Sequence, residues 1–356
     1  YVVHNCNFEP NTDLSSSQFG LWLVLRQNKK QLENMGLHCV SIIIPVYNGA
    51  KTIIESLDSL LKQDYIEKNY NSVEIIIIND NSTDNSFSLV KDYFNDKTIK
   101  NIILSNKANL GLAGNYNKGI EISGGDYIIT MHQDIILKNN AVAQLVSAMD
   151  EETTQAAFHY VDHPREIWEK YNFWQKCLFS RLLDKRFYGL DGKFDIFRKC
   201  ILIDVGMFDP VTFRSAGEDG DIIKKIESIG ISKKTEAGII HIHDNNPKYS
   251  LKSYLLKHAQ LAEAQGALYR KHGITSIREL FRAFFRECLL LMLMVPYLRY
   301  FSVLLIFLYS FYYTKNVFIA EYKNPKILLL PFINMSLLFV SFFYSVKGFV
   351  TGKQFL

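Results

Sequence analysis

Val40-Ser41-Ile42-Ile43-Ile44-Pro45-Val46, followed by Tyr47-Asn48-Gly49, is the stretch from which the fold of this chain is read. Its apolar residues are consecutive and mostly β-branched, where a half-exposed strand would alternate. A strand of that kind is buried on both faces, as in a parallel sheet. Pro45 and Asn48-Gly49 mark its end. Ala50–Gln63 then carries Ile53, Ile54, Leu57, Leu60 and Leu61 at helical spacing. Val73–Ile78 is a second buried strand, running into Asn79-Asp80-Asn81-Ser82-Thr83-Asp84 and a helix to about Phe94. Asn101–Ser105 is a third strand, Leu112–Ser123 a helix, and Asp126–Met131 a fourth strand that ends at His132-Gln133-Asp134. A further helix follows Asn139.

This alternation of strand and helix is the pattern of a doubly wound α/β sheet. Right-handed crossovers bring the strand C-termini to one edge, and ligands of such sheets bind in the crevice there. Tyr47-Asn48, Asn79–Asp84 and His132–Asp134 each follow a strand, so all three polar clusters converge on one crevice. Residues 155–200, rich in aromatics and charge, are expected to form loops and short helices walling the acceptor side. Beyond them lie Val205–Asp209, then Gly217-Glu218-Asp219-Gly220-Asp221 opening an amphipathic helix to Ser228. A strand over Ala237–Ile242 ends in His241-Ile242-His243, and a long helix spans Leu251–His272.

The net charge of +4 over 356 residues is too small to point to nucleic acid. Five scattered cysteines have neither metal-ligand spacing nor a disulfide framework and read as free thiols. Residues 1–39 show no clean periodicity; Met35 is the expected start of the functional chain, with 1–34 dispensable. Residues 40–275 read as one catalytic domain and 276–356 as a membrane region. In the latter, Arg278, Arg282 and Arg286 interleave with Leu280, Phe281, Phe284 and Phe285, as in a basic amphipathic helix on an anionic surface. Cys288–Tyr313 is almost wholly apolar, and Ile327–Val346 has no charged residue and is long enough to span a bilayer. Lys347 and Lys353 follow it, consistent with a cytoplasmic tail under the positive-inside rule, and the catalytic domain is expected on the cytoplasmic side of the cell membrane.

Ser41–Asn48 together with Ile78–Asp84 resembles the opening of the family 2 glycosyltransferases, which have the GT-A fold. Asn109-Leu110-Gly111-Leu112-Ala113-Gly114-Asn115-Tyr116-Asn117-Lys118-Gly119-Ile120 is similar to the family's next block. His132-Gln133-Asp134 stands where the family has its metal-binding Asp-x-Asp. Gly206-Met207-Phe208-Asp209 and Gly217–Asp221 resemble its acceptor-side Gly-x-Phe-Asp and Glu-Asp-x-Asp. Five motifs in family order over residues 40–245 make the resemblance specific.

The resemblance implies a GT-A-type doubly wound mixed sheet and an inverting, metal-dependent transfer from a nucleotide-sugar donor. It puts nucleotide binding on Pro45, Tyr47, Asn48, Asp80 and Asn117. Asp80 can accept from a base or ribose group as carboxylates do at Rossmann edges, with Ser82 and Asp84 left as helix caps. Asn79 replaces the family's frequent first Asp, and Tyr116 stands where the family often has Arg. Asp134 and His132 are the expected ligands of Mn²⁺ or Mg²⁺; imidazole suits Mn²⁺ better. His243, favoured over His241 as nearer the strand end, is the late histidine expected at the metal. Asp219 is the expected general base toward an acceptor hydroxyl, with Glu218 holding donor or acceptor hydroxyls. Asp191 and Gly217 are expected beside the sugar. No Gln-x-x-Arg-Trp follows Glu218-Asp219, which implies transfer of one or a few sugars to a lipid-linked or other membrane-proximal acceptor. Two alternatives stand beside this reading. One is a polyprenyl-phosphate sugar synthase resembling dolichyl-phosphate mannose synthase, whose already ionised acceptor needs no strong base. The other is a non-catalytic sugar-binding relative, which donor turnover would exclude.

Overall fold

The computed structural model describes residues 39–188, 192–214, 216–242, 246–274 and 277–356. The chain divides into two compact units. The first holds residues up to Asp162 with Arg186–Pro210 and Glu218–Asp244; the second holds His163–Lys185, Val211–Gly217 and Asn245–Leu356. The helix over 251–272, assigned from sequence to a catalytic domain ending at 275, groups with the C-terminal helices.

In the first unit the strands are β1 (Val40–Val46), β2 (Val73–Asn79), β3 (Asn101–Ser105), β4 (Tyr127–Met131), β5 (Ile135–Leu137), β6 (Thr154–Asp162), β7 (Arg186–Tyr188), β8 (Phe194–Arg198) and β9 (Ile231–His241). The main helices are α1 (Ile53–Leu61), α2 (Ser86–Phe94), α3 (Gly111–Ile122), α4 (Ala141–Ser147), α5 (Lys199–Asp204) and α6 (Glu218–Glu227). The sheet order is β3-β2-β1-β4-β8-β6-β9-β5, with β7 paired to β6. β3, β2, β1 and β4 are parallel, in registers such as Val40↔Val73, Ile75↔Asn101 and Val40↔Tyr127. β8 runs antiparallel to both β4 and β6, which makes the sheet mixed. Every residue of β1 and β2 is buried. Ile42 and Ile44 pack into the apolar cluster on one face, Ile43 and Ile78 into that on the other, so the continuous apolar run is required by two covered faces. Pro45 lacks an N–H, and it sits just past the last β1–β4 pair, Ile43↔Thr130, where the ladder asks for none.

The segment 155–200 departs from expectation. The expected short helices are present over Arg165–Trp168 and Phe173–Phe179, but much of the rest is strand: β6, β7 and β8, with β8 and β6 inserted next to β4. Buried ionisable residues hide these strands in the sequence: His159 on β6 and Asp195 on β8 interrupt the apolar runs, and each is the other's partner, at 2.8 Å.

The second unit is helical, with α7 (Leu251–His272), α8 (Ile277–Met292), α9 (Leu298–Tyr313) and α10 (Leu330–Thr351) as its long elements. The side chains of Arg278, Arg282 and Arg286, read above as a basic stripe, lie outside the described residues, as do positions 1–38.

Candidate active site

The loops after β1 and β2 are stapled to each other. Asn48 takes a left-handed conformation (φ 49°), which asparagine tolerates. Its side-chain oxygen accepts from Thr83 N–H at 2.8 Å, and its own N–H donates to Ser82 Oγ at 3.0 Å. Gly49 N–H donates to Ser86 Oγ, and Ala50 N–H to Asp84 at 3.1 Å. Burial alone would raise the Asp84 carboxyl, but the Ser86 and Ala50 donors outweigh it and hold it below the usual carboxylate range. Asp84 also accepts Ser86 N–H at the first residue of α2, although the N-cap position itself is Asn85. Above this loop the Tyr47 ring is half exposed.

Gln133 joins the third strand end to the first. Tyr47 N–H donates to Gln133 Oε1 at 2.9 Å, and Gln133 Nε2 donates to the Tyr47 carbonyl at 3.0 Å. A Cβ at position 49 would overlap the Gln133 amide, so only glycine leaves it room. Sequence reading passed over Gln133 as the variable residue between two ligands. The glycine two residues past Tyr47 was its only trace.

Asp80 and Asn117 meet the protein's own groups. Asp80 is 3% exposed and accepts from Leu110 N–H (2.7 Å), Gly111 N–H (3.0 Å) and Asn106 Nδ2 (3.0 Å). It thereby satisfies the open amides at the α3 N-terminus, where a negative charge is favoured. Asn106 in turn donates to Asn115 at 2.7 Å and accepts from Lys118 at 2.7 Å. Asn117 exchanges two bonds with the Phe208 backbone, at 2.9 and 3.0 Å, and so fixes the Gly206-Met207-Phe208 turn against α3.

At the end of β4, Asp134 stands between two imidazoles. One oxygen lies 3.1 Å from His241 Nε2, the other 3.9 Å from His132 Nδ1. The β5–β9 pair Ile135↔His241 brings that histidine opposite. His241 thus stands beside Asp134; His243, the late histidine expected at the metal, lies outside the described residues, as does Asp191. Two nitrogens and a carboxylate form a borderline donor set that fits Mn²⁺ better than Mg²⁺. Among the described residues no three such side chains close on an ion by themselves, so phosphate oxygens would have to complete the shell.

At the start of α6, Asp219 accepts Gly220 N–H at 2.7 Å, which fixes its rotamer, and Glu218 is 7% exposed. A Cβ on Gly192 would stand 3.0 Å from Asp219 Cβ, so the turn before β8 runs close beside this carboxylate. Asp221 is fully buried and pairs with Lys225 at 3.1 Å, and Lys225 donates to the Met207 carbonyl. Gly217 is left-handed (φ 93°) and packed on Phe213.

Tyr116 shows how these groups converge. It lies on α3 at 1% exposure, its ring 5.1 Å from that of Phe208, and its hydroxyl makes no hydrogen bond. Burial pushes its pKa far up, and the fields of Glu218, Asp195, Asp134 and Asp219 push it further. The carboxylates that act on it come from the turn after β4, from β8 and from the start of α6. Asp195 was missed from sequence; an aspartate inside Phe194–Arg198 was the available signal, since a buried carboxylate needs a reason.

Residues 41–208 match the family model described as glycosyl transferase family 2. The chain is 32% identical over 113 residues to glycosyltransferase GlyG of Streptococcus pneumoniae serotype 4, covering 32% of this chain and 35% of that protein. It is 26% identical over 248 residues to a poly-beta-1,6-N-acetyl-D-glucosamine synthase of Staphylococcus epidermidis, covering 66% and 52%. It thus spans about a third to a half of the length of these relatives. Among solved structures it is similar to the mannosyltransferase PcManGT from Pyrobaculum calidifontis in complex with GDP-Man and Mn²⁺, with TM-score 0.57, 17% identity, and coverage of 94% and 96%. At that identity the likeness establishes a shared GT-A fold.

Proposed function

We propose that the chain is a family 2 glycosyltransferase, an inverting, metal-dependent, non-processive enzyme that glycosylates a hydroxyl of a membrane-proximal, lipid-linked saccharide. The observation that carries this reading is Asp134 standing 3.1 Å from His241 and 3.9 Å from His132 just past the end of β4. That cluster would serve the diphosphate, and Glu218 and Asp219 at the start of α6 the incoming hydroxyl.

Tyr47 and Asn48 face the donor nucleotide, Tyr47 by stacking its exposed ring on the base. Pro45, Asp80 and Asn117 support this end by shaping the β1 and α3 turns. Gln133 keeps that loop in register with Asp134. A divalent cation held by Asp134 with His132 and His241 would offset charge building on the departing diphosphate. The solved mannosyltransferase carries Mn²⁺ with its GDP-sugar, which supports that assignment. Asp219 takes the proton from the acceptor hydroxyl as the acceptor oxygen bonds to the anomeric carbon. The carbon–diphosphate bond breaks on the opposite face, leaving an inverted glycoside and a nucleoside diphosphate. Glu218 orients sugar hydroxyls beside it, and Asp191 and Gly217 border the sugar. The carboxylate pair favours a hydroxyl acceptor over a lipid phosphate, which is already ionised.

Among the described residues one helix, α10, is long and apolar enough to cross a bilayer, which supports an acceptor held at a membrane. The basic residues Lys347 and Lys353 support the cytoplasmic face. The test is nucleoside diphosphate release from a panel of nucleotide-sugars by the detergent-solubilised chain, with Mn²⁺, Mg²⁺ or chelator. Turnover that needs Mn²⁺ and vanishes in Asp219→Asn is expected. Donor binding without turnover of any sugar would replace this reading by the non-catalytic one.

A further inference from the structure

α9 and α10 turn a broad apolar face outward. α9 buries Ser302, Ile306, Ser310 and Tyr313 and exposes Leu304, Phe307 and Phe311. α10 buries Leu330, Leu337 and Leu338 together with Asn334, Ser341 and Gly348, while Phe332, Phe339, Phe343, Val346 and Val350 form an exposed stripe at helical spacing. In water such a face would be covered or polar. The inward polar groups are satisfied: Asn334 donates to the Ser310 carbonyl at 2.8 Å and to Thr314 Oγ1 at 2.9 Å, and Ser302 donates to the Leu289 carbonyl at 2.5 Å.

A lone bilayer crossing by α10 accounts for its outer face but not for α7. The two helices run side by side in the same direction. Tyr254 reaches Asn334, and Arg270 donates to the carbonyls of Phe349 and Val350 at 3.0 and 2.7 Å, a constant offset of 79–80 residues. Their backbones touch, since a Cβ on Gly266 would overlap the Ser345 carbonyl and one on Gly348 the Glu263 carbonyl. Whatever depth α10 reaches, α7 reaches too. α7 carries Lys252, Lys257, Gln260, Gln265, Arg270 and Lys271 along its length. A crossing would hold Lys257 and Gln260 near the bilayer centre, where charged side chains are strongly disfavoured.

We infer that α9 and α10 lie in the plane of the membrane interface and form a monotopic docking surface for an anionic phospholipid bilayer, with α7 on the aqueous side. This rests on the membrane-proximal reading of the proposed function and deepens it. Charge selects the lipid. From Arg299 onward there are six basic residues, of which Lys347 is taken by Glu263 at 2.7 Å, and one acidic, Glu321, which is taken by Lys176 at 2.5 Å. Tyr297 and Tyr300, exposed beside Arg299, suit the headgroup level.

The test uses the full chain in sealed right-side-out vesicles from expressing cells. Cysteines are placed at Lys326→Cys or Lys353→Cys in a Cys288→Ser background, which serves as the blank. A membrane-impermeant maleimide is applied before and after the vesicles are opened. Docking in the plane gives both positions the same sidedness, both shielded until opening or both labelled before it. Opposite sidedness means a crossing and overturns the inference while leaving the membrane reading intact. Recovery of the chain in the soluble fraction defeats both. In addition, Phe339→Glu with Phe343→Glu is expected to lower binding to anionic vesicles at least about tenfold, with donor turnover and thermal melt retained. Unchanged binding of that folded variant also overturns the inference, and for a variant that fails to fold the sidedness result decides.

Discussion

The sheet unit and the helical unit differ in what they leave outside. In the first, Ile42, Ile43, Ile44 and Ile75–Ile78 are inside, and polar groups gather at the strand ends. In the helices α9 and α10, serines and an asparagine are inside beside Ile306, Leu337 and Leu338, and phenylalanines are outside. The difference is the one that the proposed membrane docking requires, a chain written for two solvents. Water sets the sorting in the sheet, where apolar area is removed from it. Where lipid is the solvent, apolar side chains gain nothing by turning inward, and small or polar residues that let helices approach take the contact positions. The same logic separates two kinds of buried polar group. Asp80 is buried to shape a turn at the edge of the site, whereas Glu263 is buried in α7 to hold Lys347 and the amides of Phe355 and Leu356.

That contrast breaks or sharpens in measurable steps. The largest effect is expected at the polar edge of the sheet. Asp219→Asn should lower kcat by about 10³-fold, in the range for loss of a general base, while titration calorimetry finds nucleotide affinity nearly unchanged. Near-normal turnover would remove Asp219 from the chemistry. Next is the helix packing. Gly348→Leu must push α7 and α10 apart and should destabilise by about 3 kcal/mol in detergent melts, whereas Phe343→Ser on the outer face should leave the melt almost unmoved. A larger loss from Phe343→Ser would mean that the outer face is packed after all. His241→Ala should then weaken Mn²⁺ activation by about 10–100-fold, read as the metal concentration for half-maximal turnover. Gln133→Ala removes two bonds to Tyr47 and should raise the donor KM by about tenfold with kcat little changed.

The smallest effect concerns pH. Burial would raise the Glu263 carboxyl, but Lys347 and the amides of Leu356 and Phe355 win and hold its pKa below the usual glutamate range. With the folded value depressed, this contribution to stability is complete above the unfolded pKa and is lost as pH falls through the folded one. The melting-temperature gap between the wild-type chain and Glu263→Gln should therefore narrow as pH drops from 7 to about 3. A gap that widens on acidification would contradict the pairing with Lys347.

Much of this was legible in the sequence. β1 and β3 have the limits read from their apolar runs, and α7 those read from its length and pattern, because continuous β-branched stretches and long helical spacing are local signals. The crevice was legible for the same reason, since polar clusters after parallel strands have one place to go. The strands β6 and β8 were not, because what makes them strands is a partner far along the chain: His159 and Asp195, 36 positions apart, meet only when the chain between them folds back. Gln133, Asp195 and His241 joined the site only through cross-strand contacts.

By itself the sequence determined the α/β class, the strands β1 to β4 and the polar loops after them, since those depend on local periodicity and short motifs. Tertiary structure alone decided that the sheet is mixed, that His241 stands by Asp134, that Asp80 and Asn117 meet backbone groups, and that α10 does not travel without α7. Each of these depends on what lies beside a residue in space, and spacing along a chain carries no record of that.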